Sequence, residues 1–504
     1  MRTLRLLPLV LVLVLGGLII AGCGNLVGVG GGLSCVVQSD GAPNCFGGNA
    51  SGQAGRPASA TAAPGVVSLP KGYGAAEIAV GPGAPNGQTA ACAAVGKSGS
   101  SGGGQVRCWG DDTYGQLGRG SAGAPSPTPV RVNLGAGRDS STIAVGGTFA
   151  CAIAGSDGVA CWGTNSNGQL GNATPGIAAP TDVPGTATFR GPGGASGSPS
   201  LLAAGGAHAC AGISARIACW GAGAAGQLGN GANADSPTPV AVKLPATVDG
   251  VAQIAAGASS TCAVASDKKG GTQRAWCWGA NESGQLGDGT TTASNMPVRV
   301  TVPDGVEAKA VSVGVDHACL LASDEAVWCW GANASGQLGN GTTTASATPV
   351  QIAGVKATLI GAGAGQTCAS TTSGRLVCWG TNALGQLGTA AGGMSGTPHA
   401  VPGITGLRAP LPKAAKLTGR AAVGSTLTAK TAAWPFALAY AYTWSRKCGG
   451  GQWSDIAGAK KATLKVREAL AGCSVRVQIS GNNAWTEAGV AMSESRTSRA
   501  VSIP

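Results

Sequence analysis

Seven copies of one sequence unit run through most of this chain, and a pair of cysteines marks each copy. The second cysteine opens a Cys-Trp-Gly phrase, as at residues 329–331, and a Gly-Gln-Leu-Gly phrase follows, as at residues 336–339. The first copy is degenerate and has Phe46 at the Trp position. A unit of about 50 residues, rich in glycine and short apolar runs and repeated seven times, predicts a seven-bladed β-propeller.

Each unit contains the parts of one four-stranded blade. In the third unit an apolar stretch ends at Gly146, and a strand around Cys151 follows it. A turn with Asp157 and Gly158 leads into a second strand that ends at Trp162. An Asp-Gly pair flanked by strand residues is a hairpin signal, so the two cysteines of a unit are expected on facing arms of one hairpin.

Cysteines that face each other across a hairpin have the separation that a disulfide accepts. Small buried residues packed beside the tryptophan are the alternative interpretation. We favour disulfides within each blade, and we disfavour zinc because no C-x-x-C spacing occurs and the chain has three histidines. The expected pairs are Cys35 with Cys45, Cys92 with Cys108, Cys151 with Cys161, Cys210 with Cys219, Cys262 with Cys277, Cys319 with Cys329, and Cys368 with Cys378.

The N-terminus has the features of an export signal. Arg2 and Arg5 precede an apolar run from Leu6 to Ile20, and small residues lead to Cys23. The segment resembles a bacterial lipobox, which implies cleavage before Cys23 and its lipidation. An ordinary signal peptide and an uncleaved anchor are the alternatives. Lipidation would also account for the odd cysteine, since Cys448 and Cys473 can pair with each other.

The repeat resembles that of the regulator of chromosome condensation (RCC1) family. The matching features are the G-x-x-H-x-C runs at 205–210 and 314–319, the Cys-Trp-Gly phrase, the G-x-N-x-x-G-Q-L-G runs at 279–287 and 331–339, and a closing Pro-Val pair. The resemblance covers about residues 25–408 and implies a seven-bladed propeller of four-stranded blades. Nuclear members act in nucleotide exchange and bind chromatin, but export would separate this chain from both partners. Secreted bacterial relatives include a β-lactamase inhibitor.

The repeat stops at Pro410, and the sequence beyond it alternates apolar and polar residues in short runs. Phrases such as Val423 to Thr428 and Tyr440 to Trp444 resemble bacterial Ig-like modules. The formal charge of +12 is concentrated here, with 13 Lys or Arg against 4 Asp or Glu in residues 410–504. Contact with an anionic polymer and a simple solvated basic face are both open for these charges. The candidate contacts are Lys460, Lys461, Lys465 and Arg467.

Other motifs predict no chemistry. A relaxed phosphate-loop string at 91–98 falls on the hairpin of the second blade, where no helix can follow it. His208 and His317 occupy the same repeat position, which indicates a structural role, and His399 has no distinctive neighbours. The Asn281 to Gly289 loop lacks the carboxylates of a calcium loop. The in-phase tryptophans, together with Trp276 and Trp328, are predicted to be blade core.

The sequence therefore predicts an all-β protein: a lipoprotein signal peptide (1–22), a seven-bladed RCC1-type propeller (23–408) and a small Ig-like β-sandwich (409–504). We expect an exported, lipid-anchored monomer at the bacterial cell surface, without enzymatic activity, cofactor or metal. Its expected partner is a protein or an anionic envelope polymer, not nucleic acid, bound through propeller loops, the basic domain or both.

The longest inserts are the candidate loops for that binding: 54–72, 96–104 and 175–199. The alternative is a protein inhibitor of an envelope enzyme that uses one propeller face. Such an interface favours clustered aromatic residues. Tyr73 and Tyr114 are the only tyrosines of the propeller sequence, which weakens this alternative.

Overall fold

A computed structural model describes residues 26–503, except 84–88, 98–103, 137, 141, 156–157, 185–188, 191–195, 198, 214–215, 268–270, 406, 408–415, 431–436, 450, 457, 484–492 and 499. The predicted signal peptide (1–22), Cys23 and the predicted boundary at 408/409 lie outside the described residues. The described chain is built of β-strands with one 3-10 helix, Glu468–Leu470, and it contains no α-helix. Within these residues, no helix has the length and apolar character needed to cross a membrane.

Residues 27–405 form seven blades of antiparallel strands that run in consecutive order, as the repeat predicted. The first three blades contain β1 (Val27–Gly30), β2 (Leu33–Val37), β3 (Pro43–Gly48) and β4 (Thr61–Val66); β5 (Tyr73–Val80), β6 (Ala90–Lys97), β7 (Gln105–Gly110) and β8 (Ser126–Arg131); and β9 (Ile143–Val145), β10 (Phe149–Ile153), β11 (Val159–Thr164) and β12 (Ile177–Asp182). A two-stranded ribbon follows, made of β13 (Phe189–Arg190) and β14 (Ser196–Gly197).

The last four blades follow the same pattern. They contain β15 (Leu201–Ala204), β16 (His208–Ile213), β17 (Arg216–Gly221) and β18 (Ser236–Ala241); β19 (Val248–Ala256), β20 (Ser260–Asp267), β21 (Gln273–Gly279) and β22 (Ser294–Arg299); β23 (Ala308–Val313), β24 (His317–Ala322), β25 (Ala326–Gly331) and the first part of β26 (Ser346–Ala362); and the rest of β26 with β27 (Gln366–Thr371), β28 (Arg375–Thr381) and β29 (Met394–Thr405). Blades six and seven are thus joined by one continuous strand.

The ring closes between blades one and seven by side-chain packing. Val29 and Phe46 of the first blade share one buried cluster with Leu376, Leu387 and Val401 of the last. In the described part of the chain, β1 pairs with β2 alone, so no strand is exchanged across this interface. Each blade is therefore formed from one uninterrupted stretch of sequence.

A disulfide joins the two middle strands of every blade, and the seven bonds connect the pairs expected from the hairpins. The paired Cα atoms are 4.0–4.1 Å apart, and all fourteen cysteine side chains are buried. The bonds are Cys35 to Cys45, Cys92 to Cys108, Cys151 to Cys161, Cys210 to Cys219, Cys262 to Cys277, Cys319 to Cys329, and Cys368 to Cys378.

An eighth bond links Cys448 to Cys473 in the C-terminal domain. Each of the eight pairs lies directly opposite in the strand register, as Cys151 and Cys161 do on β10 and β11. The alternative of unpaired cysteines packed beside the tryptophan does not hold for these pairs. A disulfide at such a position constrains the unfolded chain without crossing between blades.

Residues 416–503 form two antiparallel sheets around a separate core. One sheet contains β30 (Lys416–Thr418), β31 (Thr426–Lys430) and β34 (Thr463–Lys465), and the other contains β32 (Ala437–Cys448), β33 (Ser454–Asp455), β35 (Cys473–Asn483), β36 (Ser493–Thr497) and β37 (Val501–Ser502). Trp444 is fully buried between them with Leu427, Leu464 and Val477. Two sheets on one core form a sandwich; its Ig-like classification stays a prediction.

Candidate functional site

The repeated tryptophans connect neighbouring blades. Each indole Nε1–H donates to the backbone carbonyl of the glutamine in the Gly-Gln-Leu-Gly phrase of the preceding blade, at 2.8–3.0 Å. The pairs are Trp109–Gln53, Trp162–Gln116, Trp220–Gln169, Trp278–Gln227, Trp330–Gln285 and Trp379–Gln337. All six tryptophans are fully buried. The most regular residues of the sequence therefore hold the ring together and are not exposed to a ligand.

The seventh blade interface uses a different donor. Phe46 occupies the tryptophan position and has no N–H donor in its side chain, and it packs near Gly388 of the last blade. The carbonyl of Gln386 instead accepts a hydrogen bond from the Ser34 hydroxyl at 2.8 Å. The degenerate first repeat thus keeps this carbonyl satisfied by a hydroxyl, which Thr261 and Thr367 also provide at the same repeat position. Sequence reasoning missed the role of Ser34 because no local pattern marks it.

Trp276 and Trp328 lie two residues before the repeated tryptophan on their strands, and both are half-buried. Trp276 packs against the cluster that contains Trp278, and Trp328 packs against the one that contains Trp330. Both therefore extend the blade core on the same face of their strands.

The paired histidines also lie at blade interfaces. His208 Nε2 is 2.8 Å from the Thr261 hydroxyl, which itself donates to the Gln227 carbonyl at 3.0 Å. The histidine must therefore be the donor to Thr261, which fixes the neutral tautomer with its proton on Nε2. His317 forms the same chain through Thr367. Complete burial lowers the pKa of each histidine to about 4.

These two histidines have no carboxylate in a catalytic arrangement. The Nδ1 atom of each is buried and has no hydrogen-bond partner among the described residues. The Nε2 atom of His399, on β29, likewise has none. In a Ser-His-Asp arrangement the acid binds Nδ1 and the serine binds Nε2. His208 and His317 lack a partner at Nδ1, and His399 lacks one at Nε2, so none of the three shows this arrangement among the described residues.

The Asn/Gly-rich loops that faintly resemble calcium loops are held by amide side chains. Asn281 accepts from the Leu286 N–H at 2.9 Å and donates to the carbonyls of Thr290 and Thr292 at 3.1 and 3.0 Å. Asn333 repeats this arrangement in the next blade. Across the described residues, no group of three His, Cys, Asp or Glu could hold a metal ion. These loops are turn structures, as the sequence indicated.

The second blade replaces this asparagine by an acid and a base. Asp112 is fully buried and accepts from the Leu117 N–H at 2.9 Å, while Arg119 Nε donates to its other oxygen at 2.8 Å. Burial raises the pKa of Asp112, and the bonds from Leu117 and Arg119 oppose that rise. Arg119 also bonds to the Ala124 carbonyl. The Asp112 carboxylate and the Arg119 guanidinium therefore replace the acceptor and the donor of one asparagine amide.

The ring has two distinct faces. The hairpin face carries the turns between the second and third strand of each blade, and both ends of the propeller lie there. The Leu26 carbonyl accepts from Val37 N–H at 2.9 Å, and Leu407 N–H donates to the Gly374 carbonyl at 3.2 Å. The loop face carries the long loops between the third and fourth strands. Tyr114 lies in one of these loops, whereas Tyr73 begins β5 at the hairpin face, so the two tyrosines do not cluster.

The central channel is narrow, and the side chains that line it are mostly aliphatic. Its cavity measures about 140 Å³ and is lined by the innermost strands of all seven blades, with Gln253 and Ser312 as its polar side chains. Toward the loop face it narrows at a ring of glycines, where a Cβ at Gly257 would lie 2.1 Å from the Gly314 carbonyl oxygen. No charged side chain lines this cavity in the described structure, so it offers little to a charged or bulky ligand.

The three predicted insert loops have different outcomes. The segment 54–72 contains β4, the ordinary outer strand of blade one, and is therefore not a free loop. The segment 96–104 lies mostly outside the described residues. The segment 175–199 contains β12 and the small ribbon, with several residues outside the description. The phosphate-loop string 91–98 likewise falls on β6, which pairs with strands on both sides.

All four cationic residues singled out in the C-terminal domain line one depression of about 290 Å³, which we call the basic pocket. A fifth cation, Arg446, comes from β32 and completes it. The other lining residues are Ile456, Gly458, Ala459, Thr463, Leu464, Ala469 and Leu470. No carboxylate is among the described lining residues, so five positive charges surround an apolar floor. The sequence analysis did not include Arg446 in this cluster, because β33 and its flanking loops separate Arg446 from Lys460 along the chain.

Comparisons with known proteins agree with this architecture. Residues 103–153, 216–264, 274–321 and 324–370 match the family described as Regulator of chromosome condensation (RCC1) repeat, and residues 251–285 and 308–337 match a second description of the same repeat. The chain is 34% identical to the ultraviolet-B receptor UVR8 of Arabidopsis thaliana over 155 residues, which is 30% of this chain and 34% of UVR8.

A second relative is the human E3 ubiquitin-protein ligase HERC2, 27% identical over 264 residues, which cover 50% of this chain and 5% of HERC2. The chain thus spans about a third or less of these relatives' lengths. Among solved structures, yeast RCC1 (Prp20) bound to Kap60 superposes with a TM-score of 0.59 at 19% identity, covering 75% of this chain and 85% of that one. The chain therefore carries RCC1 repeats, folded as an all-β propeller of the RCC1 type.

Proposed function

We propose that this chain is a non-enzymatic binding protein, exported and anchored to a bacterial membrane by lipid at Cys23, that presents the loop face of its propeller to a protein partner. In this proposal residues 1–22 are the signal peptide, residues 23–408 the propeller and residues 409–504 an Ig-like domain. The observation that carries it is the position of both propeller ends on the hairpin face. We expect a monomer that binds no nucleic acid.

The anchor and the fold together favour one orientation. Leu26 is the third residue after Cys23, and three extended residues span about 10 Å. A lipid at Cys23 would therefore hold the hairpin face close to the membrane and turn the loop face outward. Loops on a rigid scaffold are the usual carriers of binding function, and those of the fifth and sixth blades are exposed at Thr291 and Thr343.

The comparisons support a protein partner in general terms only. Yeast RCC1 is seen bound to Kap60, another protein. The ligase activity in the name of HERC2 does not transfer, because the match covers 5% of that protein. The residues that repeat most regularly here are buried and serve the ring, which favours a scaffold over an enzyme.

The inhibitor alternative would use the same outward face. It requires a cluster of exposed aromatic side chains, since hot spots of protein interfaces are enriched in Trp and Tyr. Tyr114 stands apart from Tyr73, and the repeated tryptophans are buried. We therefore rank a weaker or transient protein contact above tight enzyme inhibition.

Site-specific photo-crosslinking in the producing bacterium tests this proposal. A photoreactive residue at Thr343 samples the loop face, and one at Ser373 samples the hairpin face; both positions are exposed. We expect a discrete protein adduct from position 343 and none from position 373. Adducts from 373 alone, or none from 343 and from other exposed loop-face positions, would contradict it.

The anchor is tested separately with C23A. The protein without this substitution should incorporate labelled palmitate and sediment with membranes. The C23A variant should do neither.

A further inference from the structure

We infer that the basic pocket of the C-terminal domain is a binding site for phosphodiester groups, those of an anionic polymer or of lipid headgroups. This site is separate from the loop face and does not depend on the partner proposed there. Five cations line a single depression, and no described carboxylate forms an ion pair with any of them. Like charges brought together without a counter-charge favour an anion between them.

The pocket is held in shape before any ligand arrives. The buried Trp444 donates its indole N–H to the Lys461 carbonyl at 2.9 Å, which fixes the backbone immediately after the adjacent lysines 460 and 461. Arg446 Nη1 donates to the Ala469 carbonyl at 3.2 Å across the depression. Leu464 and Leu470 are both part of the domain core. A preorganised site spends less free energy on ordering side chains and loops when it binds.

The arrangement of the cations fits several anionic groups in succession better than one. They come from three separate segments: Arg446 on β32, Lys460 and Lys461 in a loop, and Lys465 and Arg467 at and after the end of β34. Between them lies an apolar floor that includes Ile456 and Leu464. Lysine binds phosphate as a point charge, and arginine can bind it through two parallel hydrogen bonds.

The chemical class of the ligand follows from the positive charges of the basic pocket and its apolar floor. A phosphodiester carries one negative charge for each unit, and carbon segments separate the charges. Those carbon segments match the apolar floor, while the phosphate oxygens match the surrounding cations. Anionic lipid headgroups and linear phosphate-linked polymers both present this chemistry to an exported, membrane-anchored protein.

The test uses the full chain with C23A, so that the lipid anchor itself cannot bind a membrane. Two probes are compared: soluble poly(glycerol phosphate), a linear phosphodiester polymer, and vesicles of phosphatidylglycerol and phosphatidylcholine in equal amounts. We expect the double substitution K461Q/K465Q to weaken binding by about tenfold or more, because it removes two charged hydrogen-bond donors. Binding by the unsubstituted pocket should also fall as salt is raised.

The matched control is R420Q/K447Q, which removes the same charge from residues of the same domain that do not line the pocket. It should weaken binding by less than about threefold, since only the long-range attraction is reduced. Binding to poly(glycerol phosphate) alone would identify a polymer as the source of the phosphate, and binding to vesicles alone would identify the lipid headgroup. Both results support the site.

Three results would overturn the inference: equal losses in the two double variants, no binding of either probe, or equally tight binding of poly-glutamate. The first would mean that net charge acts without a site, and the last would mean that phosphate is not selected. All four substituted residues are at least partly exposed, so unchanged thermal unfolding can verify that both variants are folded.

Discussion

The propeller and the C-terminal domain use their polar side chains in opposite ways. In the propeller, indoles, amides and hydroxyls of the repeat are directed inward and are satisfied by backbone groups of neighbouring blades or loops. In the C-terminal domain, four of the five pocket cations are exposed. Residues 23–409 are close to neutral, whereas residues 410–504 carry most of the net charge. The regular part of the sequence therefore serves stability here, and the irregular part contains the clearer candidate binding site.

The largest effect is expected from breaking one indole bridge between blades. Trp330→Ala should cost about 3–5 kcal/mol of the free energy of unfolding, because it leaves a cavity in a packed interface. Trp330→Phe keeps most of the ring volume and loses the bond to the Gln285 carbonyl, so it should cost about 1–2 kcal/mol. Urea unfolding measures both. Equal losses in the two variants would assign the effect to the hydrogen bond, and no loss in Trp330→Phe would assign it to packing.

Acid should destabilise the propeller and spare the C-terminal domain, which contains no histidine. Burial lowers the folded pKa of His208 and His317 to about 4 from an ordinary 6.5, so the unfolded chain binds more protons between these values. The contribution of the two neutral histidines to the free energy of unfolding is therefore fully present above pH 6.5, and it is lost as the pH falls toward 4. Between pH 7 and pH 5 each histidine should remove about 2 kcal/mol.

The control for this acid effect comes from the seventh blade, where Gln366 occupies the histidine position and bonds to the carbonyls of Gly30 and Leu33. The double variant H208Q/H317Q should lose most of the pH dependence between 7 and 5. An unchanged dependence would assign the effect to carboxylates instead.

A smaller effect is expected at the acid–base pair of the second blade. Arg119→Ala should cost about 1–2 kcal/mol, because it removes donors from the buried Asp112 carboxylate. Adding D112N should recover most of this loss, since asparagine fills the position in other blades. Thermal unfolding of the single and double variants measures the recovery. Further loss on adding D112N would contradict the proposed equivalence.

The smallest effect on stability, and the sharpest contrast between the two regions, is expected from mild reduction. Cys448 is exposed, whereas all fourteen propeller cysteines are buried. Dithiothreitol should therefore open only the Cys448–Cys473 bond of folded C23A protein, giving two thiols on alkylation and mass spectrometry. More than two thiols without loss of the folded far-UV signal would show that the blades open readily.

The sequence predicted the ring well because each blade repeats the same local pattern, and local patterns determine hairpins. It did not predict the hydrogen bond from Ser34 to the Gln386 carbonyl, since Ser34 and Gln386 are brought together only by closure of the ring. It also missed the continuous β26, because the segment 352–356 between two blades carries no strand signal of its own.

The basic pocket shows the same limit. The lysines at 460, 461 and 465 and Arg467 are close in sequence, so their cluster was visible. Arg446 joins them only because the two sheets of the sandwich pack together, and no local pattern marks it. Charge along the chain can thus suggest a site, but its full set of residues depends on long-range folding.

The closure of the ring without an exchanged strand has a consequence for how such a chain can change over generations. Because one stretch of sequence makes one blade, duplication or deletion of a single gene segment adds or removes a whole structural unit. The first and last blades of the new ring then need only side chains that can pack and hydrogen-bond across the closing interface. Ser34 and Phe46 are such side chains in the present ring. The departures of the first repeat from the pattern then preserve its contacts with the seventh blade.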